Sequence, residues 1–136
     1  MSELYLEIIT PSKVGFKGNV TSVTVPGTNG NFQVLYNHAA IISSLEIGEI
    51  KIVEQGNKTV RFATSGGTIE VSHNNIIILA ESFERADQID IKRAEEAKKR
   101  AQERLTKRTQ ADIDDFRAEL ALKRSINRLK ISNKHF

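Results

Sequence analysis

The stretch VTVPGTNGNFQV, residues 23–34, places two short apolar runs on either side of a turn. Valine alternates with threonine before Pro26, and phenylalanine and valine alternate with polar residues after Gly30. A period of two is typical of strands that bury one face of a sheet, and the proline, glycines and asparagine in between favour a turn. The stretch therefore predicts two strands separated by a turn.

Similar runs recur along the first 84 residues. They are short and rich in Val, Ile, Phe or Thr, and they lie at residues 4–9, 50–53, 60–63, 68–71 and 76–80. Turn-forming residues separate them, and all eight glycines and both prolines precede Thr68. Many short strands at such intervals are typical of a compact antiparallel sandwich or barrel.

The chain after Phe83 has the composition of helices, without glycine or proline. Asp87 is predicted to cap a first helix over residues 88–108, whose apolar stripe is largely alanine. A second helix is predicted from about Asp112, with apolar residues three and four positions apart at Ile113, Phe116, Ala118, Leu120, Leu122, Ile126 and Leu129. A short polar connection favours an antiparallel pair. The predicted fold is thus an antiparallel β-sandwich over residues 1–84 followed by an antiparallel two-helix hairpin over residues 85–136.

The net charge of +3 over 136 residues divides unevenly between these two parts. Residues 1–84 carry five basic and eight acidic side chains, a net of −3, whereas residues 85–136 carry fifteen and nine, a net of +6. Two helices with an alanine seam bury little apolar surface, so their stability depends on what they rest against. We therefore hypothesise a stable sandwich and a mobile helical hairpin joined near residues 82–88.

Several kinds of chemistry are excluded by the residues present. The chain has no cysteine, no Gly-x4-Gly-Lys-Ser/Thr phosphate loop and no serine in a nucleophile elbow. His38, His73 and His135 are scattered without metal-ligand spacing. No apolar run approaches the ~20 residues of a membrane span, and the first residues lack a signal-peptide core, which together indicate a soluble chain. We predict no catalytic residue, no metal site and no required cofactor.

Arginines repeat at intervals of seven and four on both predicted helices. They are Arg93, Arg100 and Arg104 on the first helix and Arg117, Arg124 and Arg128 on the second. These intervals place each set along one helix face. The pattern is compatible with a solvated face containing intrahelical ion pairs, with an acidic partner surface, or with a polyphosphate ligand.

The chain also resembles a known family, the epsilon subunit of the bacterial and chloroplast rotary (F-type) ATP synthase. The resemblance covers almost the whole chain and rests on the order and spacing of several segments. They are VPGTNG at 25–30, NHA at 37–39, SGGTIEV at 65–71, AESFERA at 80–86, IDIKRA at 89–94 and AELALKR at 118–124. The resemblance implies a sandwich of about ten strands followed by a helical hairpin.

The resemblance also implies a function that residue spacing alone does not reveal. It implies a non-catalytic central-stalk subunit that binds the gamma subunit and the c-ring and helps couple proton translocation to ATP synthesis. Its hairpin would inhibit ATP hydrolysis by extending into the alpha/beta catalytic subunits. The chain would then lie at the cytoplasmic face of the bacterial cell membrane, attached only through the complex.

Two sets of site residues follow from the resemblance. For ATP, a regulatory ligand of the compact hairpin, they are Glu84, Ile89, Asp90, Arg93, Ala94, Arg100, Arg124 and Arg128. For contact with gamma and the c-ring, they are Pro26, Gly27, Thr28, Asn29, Gly30 and His38. Where many members carry Pro-Gly-His-Ala-Pro, this chain has YNHAA at 36–40, and without the two prolines we expect a less rigid loop.

Two other classes of function remain as alternatives. A pI near 9.3 and the basic hairpin suggest a nucleic-acid-binding module. Phe116 is the only aromatic residue that we expect to be ordered for stacking in the hairpin, and acidic residues intersperse the basic ones, so we expect no nucleic-acid partner. A stand-alone ATPase would need the phosphate loop that the chain lacks.

Overall fold

A computed structural model describes residues 3–107 and 112–135. The chain divides into two compact units, Met1–Arg85 and Ala86–Phe136. The described residues of the first unit form strands and turns, and those of the second form helices and their connections. The predicted fold class, a ten-stranded sandwich followed by two helices, is confirmed.

Ten strands form one continuous sheet that folds over on itself. They are β1 (Leu4–Ile9), β2 (Val14–Val20), β3 (Ser22–Gly27), β4 (Gly30–Val34), β5 (Ile41–Leu45), β6 (Gly48–Val53), β7 (Thr59–Thr64), β8 (Gly67–Ser72), β9 (Asn75–Ala80) and β10 (Phe83–Arg85). The order across the sheet is β10-β7-β6-β3-β5-β8-β9-β1-β2, and β4 pairs with β3. The two ends of this path, β2 and β10, are in close contact. The ring of Phe83 in β10 packs against the backbone of Gly15 in β2, where an added Cβ would lie only 2.0 Å from the ring.

Alternation along the strands builds the core of the sandwich. In β1, for example, Leu4, Leu6 and Ile8 are fully buried while the residues between them are partly exposed. The ring of Phe62 packs against two other phenylalanines, edge-on to Phe16 at 6.3 Å and tilted against Phe83 at 4.6 Å between ring centroids. These contacts hold the two ends of the sheet path together through aromatic packing.

One strand pair differs from the antiparallel pattern. β1 pairs with β2 in antiparallel fashion on one side and with β9 in parallel fashion on the other, in the register Leu6↔Ile76 and Ile8↔Ile78. All other pairs in the sheet are antiparallel. The alternation of residues predicted β1 and β9 but carried no information about whether they pair in parallel, and no run had been predicted for β2, β5 or β10.

The helical unit starts with a single 3₁₀ turn, Ala86–Gln88, followed by α1 (Ile91–Lys107) and α2 (Asp112–His135). The prediction that Asp87 caps the first helix was wrong by three residues. The Asp90 side-chain Oδ1 accepts a hydrogen bond from the backbone N–H of Arg93 at 3.0 Å, and the Asp90 carbonyl accepts one from the N–H of Ala94. Asp90 is therefore the N-cap, because its carboxylate satisfies a donor that has no partner within the helix.

Small residues form the seam between α1 and α2, which pack against each other. Ala94 and Ala101 of α1 are buried, as are three residues of α2 at heptad spacing, Ala118, Ser125 and Ser132. Small side chains let two helix backbones approach closely. The connection between the helices, residues 108–111, lies outside the described residues, and its short length requires α2 to run back along α1.

The apolar stripe predicted for α2 was partly wrong. Phe116 is 61% exposed and Ile126 is 44% exposed, whereas Ser125, Ser132 and Ile131 are buried. Ser125 is tolerated in the seam because its Oγ donates a hydrogen bond to the carbonyl of Ala121 at 3.0 Å. The predicted position at Ile113 lies among residues whose side chains the structure does not describe.

Candidate functional site

The IDIKRA segment, residues 89–94, forms the N-terminus of α1, and three of its residues have structural roles there. Asp90 is the N-cap, while Ile89 and Ala94 are buried at the positions just before the cap and four residues into the helix. Apolar residues at these two positions are typical of a hydrophobic staple, which fixes the direction of the chain entering a helix. The backbone N–H of Arg93 is used by the cap.

Three of the four arginines predicted to bind ATP have no ion-pair partner among the described residues. Arg93 and Arg100 on α1 and Arg124 on α2 are exposed, and none of them forms an ion pair with another residue of the described part of the chain. Arg128 differs, since it is half-buried and already interacts with another group. Seven residues of helix separate Arg93 from Arg100, which is about 10 Å along the axis. The helical unit thus offers unpaired cations from both helices.

The remaining predicted ATP residue lies in the other unit. Glu84 is in β10 of the sandwich, opposite Ala63 of β7, and it is partly exposed. Glu84 also interacts with another group of the described chain. Seven of the eight predicted residues therefore belong to the helical unit, and one belongs to the sandwich.

Ser132 is a feature of the helical unit that the sequence did not reveal. It is 1% exposed, and among the described residues its Oγ has no hydrogen-bond partner. An unpaired buried hydroxyl costs roughly 1–3 kcal/mol. Together with the alanine-rich seam, it makes the packed helical pair a weakly stabilised element.

The β3–β4 turn contains five of the predicted partner-contact residues. Pro26 and Gly27 are buried in β3, and the Pro26 carbonyl accepts a hydrogen bond from the N–H of Glu46 at 2.9 Å. Thr28, Asn29 and Gly30 are exposed. Gly27 leaves no room for a side chain, because an added Cβ would lie 2.8 Å from the carbonyl oxygen of Gly30. Only the tip of the turn therefore offers side chains to a partner.

The sixth predicted contact residue, His38, lies in the loop between β4 and β5. Its ring Nδ1 donates a hydrogen bond to the carbonyl of Ala39 at 2.7 Å. Asn37 has the left-handed backbone conformation (φ 63°). Its N–H donates to Asn74 Oδ1 at 2.7 Å, and Asn74 Nδ2 donates to Asn37 Oδ1 at 3.3 Å. Two hydrogen bonds thus tie this loop to the β8–β9 turn, although it lacks both prolines.

This arrangement brings together residues that are far apart in the sequence. An open pocket of about 320 Å³ is lined by Asn37, His38, Ala40, His73 and Asn74. The description of the histidines as scattered was therefore wrong for His38 and His73, which share this pocket. A separation of 35 positions carries no local signal, so only the fold could reveal the pair. His135 lies among residues whose side chains are not described.

The sandwich also has an exposed apolar surface that the sequence did not reveal. In the sheet register, Leu79 of β9 pairs with Ile9 of β1, which pairs with Val14 of β2. Leu79 is 52% exposed and Val14 is 56% exposed. Ile77, two residues before Leu79 on the same face of β9, is 39% exposed, whereas Ile42 of β5, 77% exposed, is separated from Ile77 by Glu70 of β8. Contiguous exposed apolar residues on one side of a sheet are typical of a protein contact surface.

Two further features bear on possible functions. Within residues 3–107 and 112–135, no group of three or more His, Cys, Asp or Glu side chains could hold a metal ion. Neither described helix is long and apolar enough to cross a membrane.

Comparison with known proteins extends over both units. Residues 3–86 match the family model described as the ATP synthase delta/epsilon chain, beta-sandwich domain, and residues 87–133 match its long alpha-helix domain. The chain is 44% identical to an ATP synthase epsilon chain of Desulforamulus reducens, over 92% of this chain and 93% of that protein. It is 43% identical to an ATP synthase epsilon chain of Nitratidesulfovibrio vulgaris, over 94% of each.

Solved structures share the fold at lower identity. A chain in the cryo-EM structure of the Euglena gracilis mitochondrial ATP synthase superposes with a TM-score of 0.80 at 18% identity, covering 90% of this chain and 77% of that one. A chain of the Tetrahymena thermophila mitochondrial ATP synthase, solved as its central stalk and c-ring, gives a TM-score of 0.68 at 16% identity, covering 95% and 96%. The family models and the curated relatives together place this chain in the ATP synthase delta/epsilon chain family.

Proposed function

We propose that the chain is the epsilon subunit in the central stalk of a rotary ATP synthase, where it helps couple proton translocation to ATP synthesis. The observation that carries this proposal is the match of both units to relatives named ATP synthase epsilon chain over nearly their full length. Its partners are the gamma subunit, the c-ring and the alpha/beta catalytic subunits, and the chain is not itself a catalyst. It sits at the cytoplasmic face of the bacterial cell membrane through the complex alone.

The sandwich is the anchoring unit in this proposal. It has its own continuous core, and two surfaces suit a large partner: the exposed tip of the β3–β4 turn and the apolar residues around Leu79. We assign the apolar surface to the gamma subunit, because burial of exposed aliphatic side chains stabilises permanent interfaces. Leu79→Glu should abolish co-purification of the chain with gamma, whereas Lys58→Glu, in the exposed β6–β7 turn, should leave it intact. Retention of Leu79→Glu on gamma would contradict the assignment.

The helical unit is the regulatory unit. Its seam is made of small residues, its surface exposes Phe116 and Ile126, and its sequence carries a net charge of +6 from residue 85 onward. A weakly stabilised basic helical pair can exchange its internal contacts for an acidic partner surface. We infer that it inhibits ATP hydrolysis by extending into the alpha/beta catalytic subunits.

ATP acts on this equilibrium as a ligand of the packed helices. The free guanidinium groups of Arg93, Arg100 and Arg124 fit a polyphosphate, since each can form charge-assisted hydrogen bonds that no carboxylate of the described chain occupies. Asp90, Ile89 and Ala94 keep the N-terminus of α1 in place. ATP would neutralise the cations and favour the packed state.

ATP binding is tested by calorimetric titration of the full chain and its arginine variants. Charge-assisted hydrogen bonds contribute roughly 1.5–3 kcal/mol, so Arg93→Ala and Arg124→Ala should each weaken ATP binding about 10-fold or more. Arg104→Ala is the matched control, since this residue is also an exposed arginine on α1 outside the proposed set. Equal losses of ATP affinity for all three variants would contradict the proposed site, because they would indicate only nonspecific attraction of ATP to a basic surface.

A further inference from the structure

The pocket between the β4–β5 loop and the β8–β9 turn contains two imidazoles in one place. His38 and His73 line it together with Asn37, Asn74 and Ala40. His38 is half-buried and His73 is exposed, so both rings can be reached from solvent. Imidazole nitrogens are common ligands of Zn²⁺ and other divalent transition-metal ions.

Both rings use Nδ1 for a hydrogen bond. A carbonyl oxygen can only accept, so the contact of His38 Nδ1 with Ala39 O fixes the Nδ1–H tautomer and leaves the lone pair on Nε2. His73 Nδ1 contacts the hydroxyl of Ser72 at 2.9 Å, and this hydroxyl can accept from Nδ1–H or donate to Nδ1. In the Nδ1–H tautomer the lone pair of His73 lies on Nε2, which has no partner among the described residues. A hydrogen bond at one ring nitrogen that orients the other is typical of metal-binding histidines.

The backbone conformation of the β8–β9 turn determines where the His73 side chain lies. His73 and Asn74 form the two-residue turn between Ser72 and Asn75, with φ of 50° and 63°. Such a turn needs positive φ at both positions, and Asn and His are among the non-glycine residues that adopt it most often. The turn therefore holds the His73 side chain at a fixed position at the end of the β8–β9 hairpin.

We propose that His38 and His73 bind one divalent transition-metal ion, of the class represented by Zn²⁺, through their Nε2 atoms. Because no third His, Cys, Asp or Glu of the described chain joins them, water or the amide oxygens of Asn37 and Asn74 complete the coordination. The pocket of about 320 Å³ has room for the ion and several waters at about 30 Å³ each. The ion would link the β4–β5 loop to the β8–β9 turn alongside the Asn37–Asn74 hydrogen bonds. This proposal does not depend on the proposed function.

The test is a titration of the full chain, freed of metal, with ZnCl₂ by calorimetry and by NMR of the histidine ring protons. We expect one Zn²⁺ per chain, with the signals of His38 and His73 shifting together. His38→Gln and His73→Asn should each lower the affinity at least 10-fold. His135→Gln is the matched control and should leave it unchanged. MgCl₂ should produce no shift, because Mg²⁺ prefers oxygen ligands.

The variants themselves are compatible with the fold. Both positions lie in surface turns, and asparagine suits the backbone of His73 better than histidine does, so thermal unfolding of His73→Asn should occur at or above the parent temperature. The proposal is overturned if Zn²⁺ fails to bind, if His38→Gln and His73→Asn retain the parent affinity, or if His135→Gln loses it. Zn²⁺ binding spread over surface carboxylates, with no shift at either ring, would overturn it equally.

Discussion

Replacing Asp90 with alanine removes the N-cap of α1 and should selectively loosen the helical unit. The Asp90 carboxylate accepts a hydrogen bond from the N–H of Arg93 at 3.0 Å. Loss of such a cap costs about 1 kcal/mol, equivalent to about a 5-fold increase in the local opening equilibrium at 25 °C. Asp90→Asn keeps the acceptor and removes only the charge near the helix N-terminus, which is worth about 0.3–1 kcal/mol.

Native-state hydrogen exchange of the backbone amides measures both effects. Amides of α1 should exchange about 5-fold faster in Asp90→Ala and clearly less so in Asp90→Asn. Amides of β6 and β7 serve as an internal control and should not change, because their unit has its own core. The reasoning is refuted if Asp90→Ala leaves α1 exchange unchanged, or if Asp90→Asn is as damaging as Asp90→Ala.

Two further predictions concern the sandwich and can be measured by urea unfolding of the full chain. Phe62→Ala should destabilise by about 3–5 kcal/mol because this ring is 2% exposed, whereas Phe116→Ala, at a residue 61% exposed, should cost less than about 0.5 kcal/mol; similar losses would contradict the assigned core. Gly67→Ala should prevent normal β8–β9 pairing, because the added Cβ would lie 2.0 Å from the carbonyl oxygen of Leu79. The Cβ added by Gly56→Ala would have no atom within 4 Å, so this variant should lose only the roughly 1–2 kcal/mol of unfolding free energy that a left-handed conformation costs. An equally small loss for Gly67→Ala would be evidence against the β8–β9 register.

Local patterns predicted seven of the ten strands and both helices, but not β2, β5 or β10. Alternation of apolar residues predicted β1, and turn-forming residues predicted the breaks between strands. The N-cap of α1 and one seam residue of α2 were predicted wrongly, because in each case the same local pattern fitted two positions. Asp87 and Asp90 are equally suitable caps by composition, and only the hydrogen bond to Arg93 distinguishes them. Apolar spacing placed Ile126 in the seam, although the neighbouring Ser125 occupies it, because a close helix pair selects for size more strongly than for hydrophobicity.

Long-range relations could not be predicted in the same way. The parallel pairing of β1 with β9, and the meeting of His38 with His73, depend on how distant segments return to one another. The resemblance to epsilon subunits supplied the candidate ATP residues, and the structure then gave one of them a structural role. Asp90 caps α1, while the Arg93 guanidinium group has no ion-pair partner among the described residues. Sequence alone could not show that a residue of this motif is a helix cap.

The most direct test of the account is the ATP hydrolysis rate of a reconstituted catalytic complex containing either the full chain or a chain ending at Arg85. The truncation follows the boundary between the two compact units. We predict that the full chain inhibits hydrolysis at low ATP concentration and less so at high ATP concentration, and that the truncated chain assembles without inhibiting at either. Equal hydrolysis rates for the two complexes at every ATP concentration would contradict a regulatory role for the helical unit.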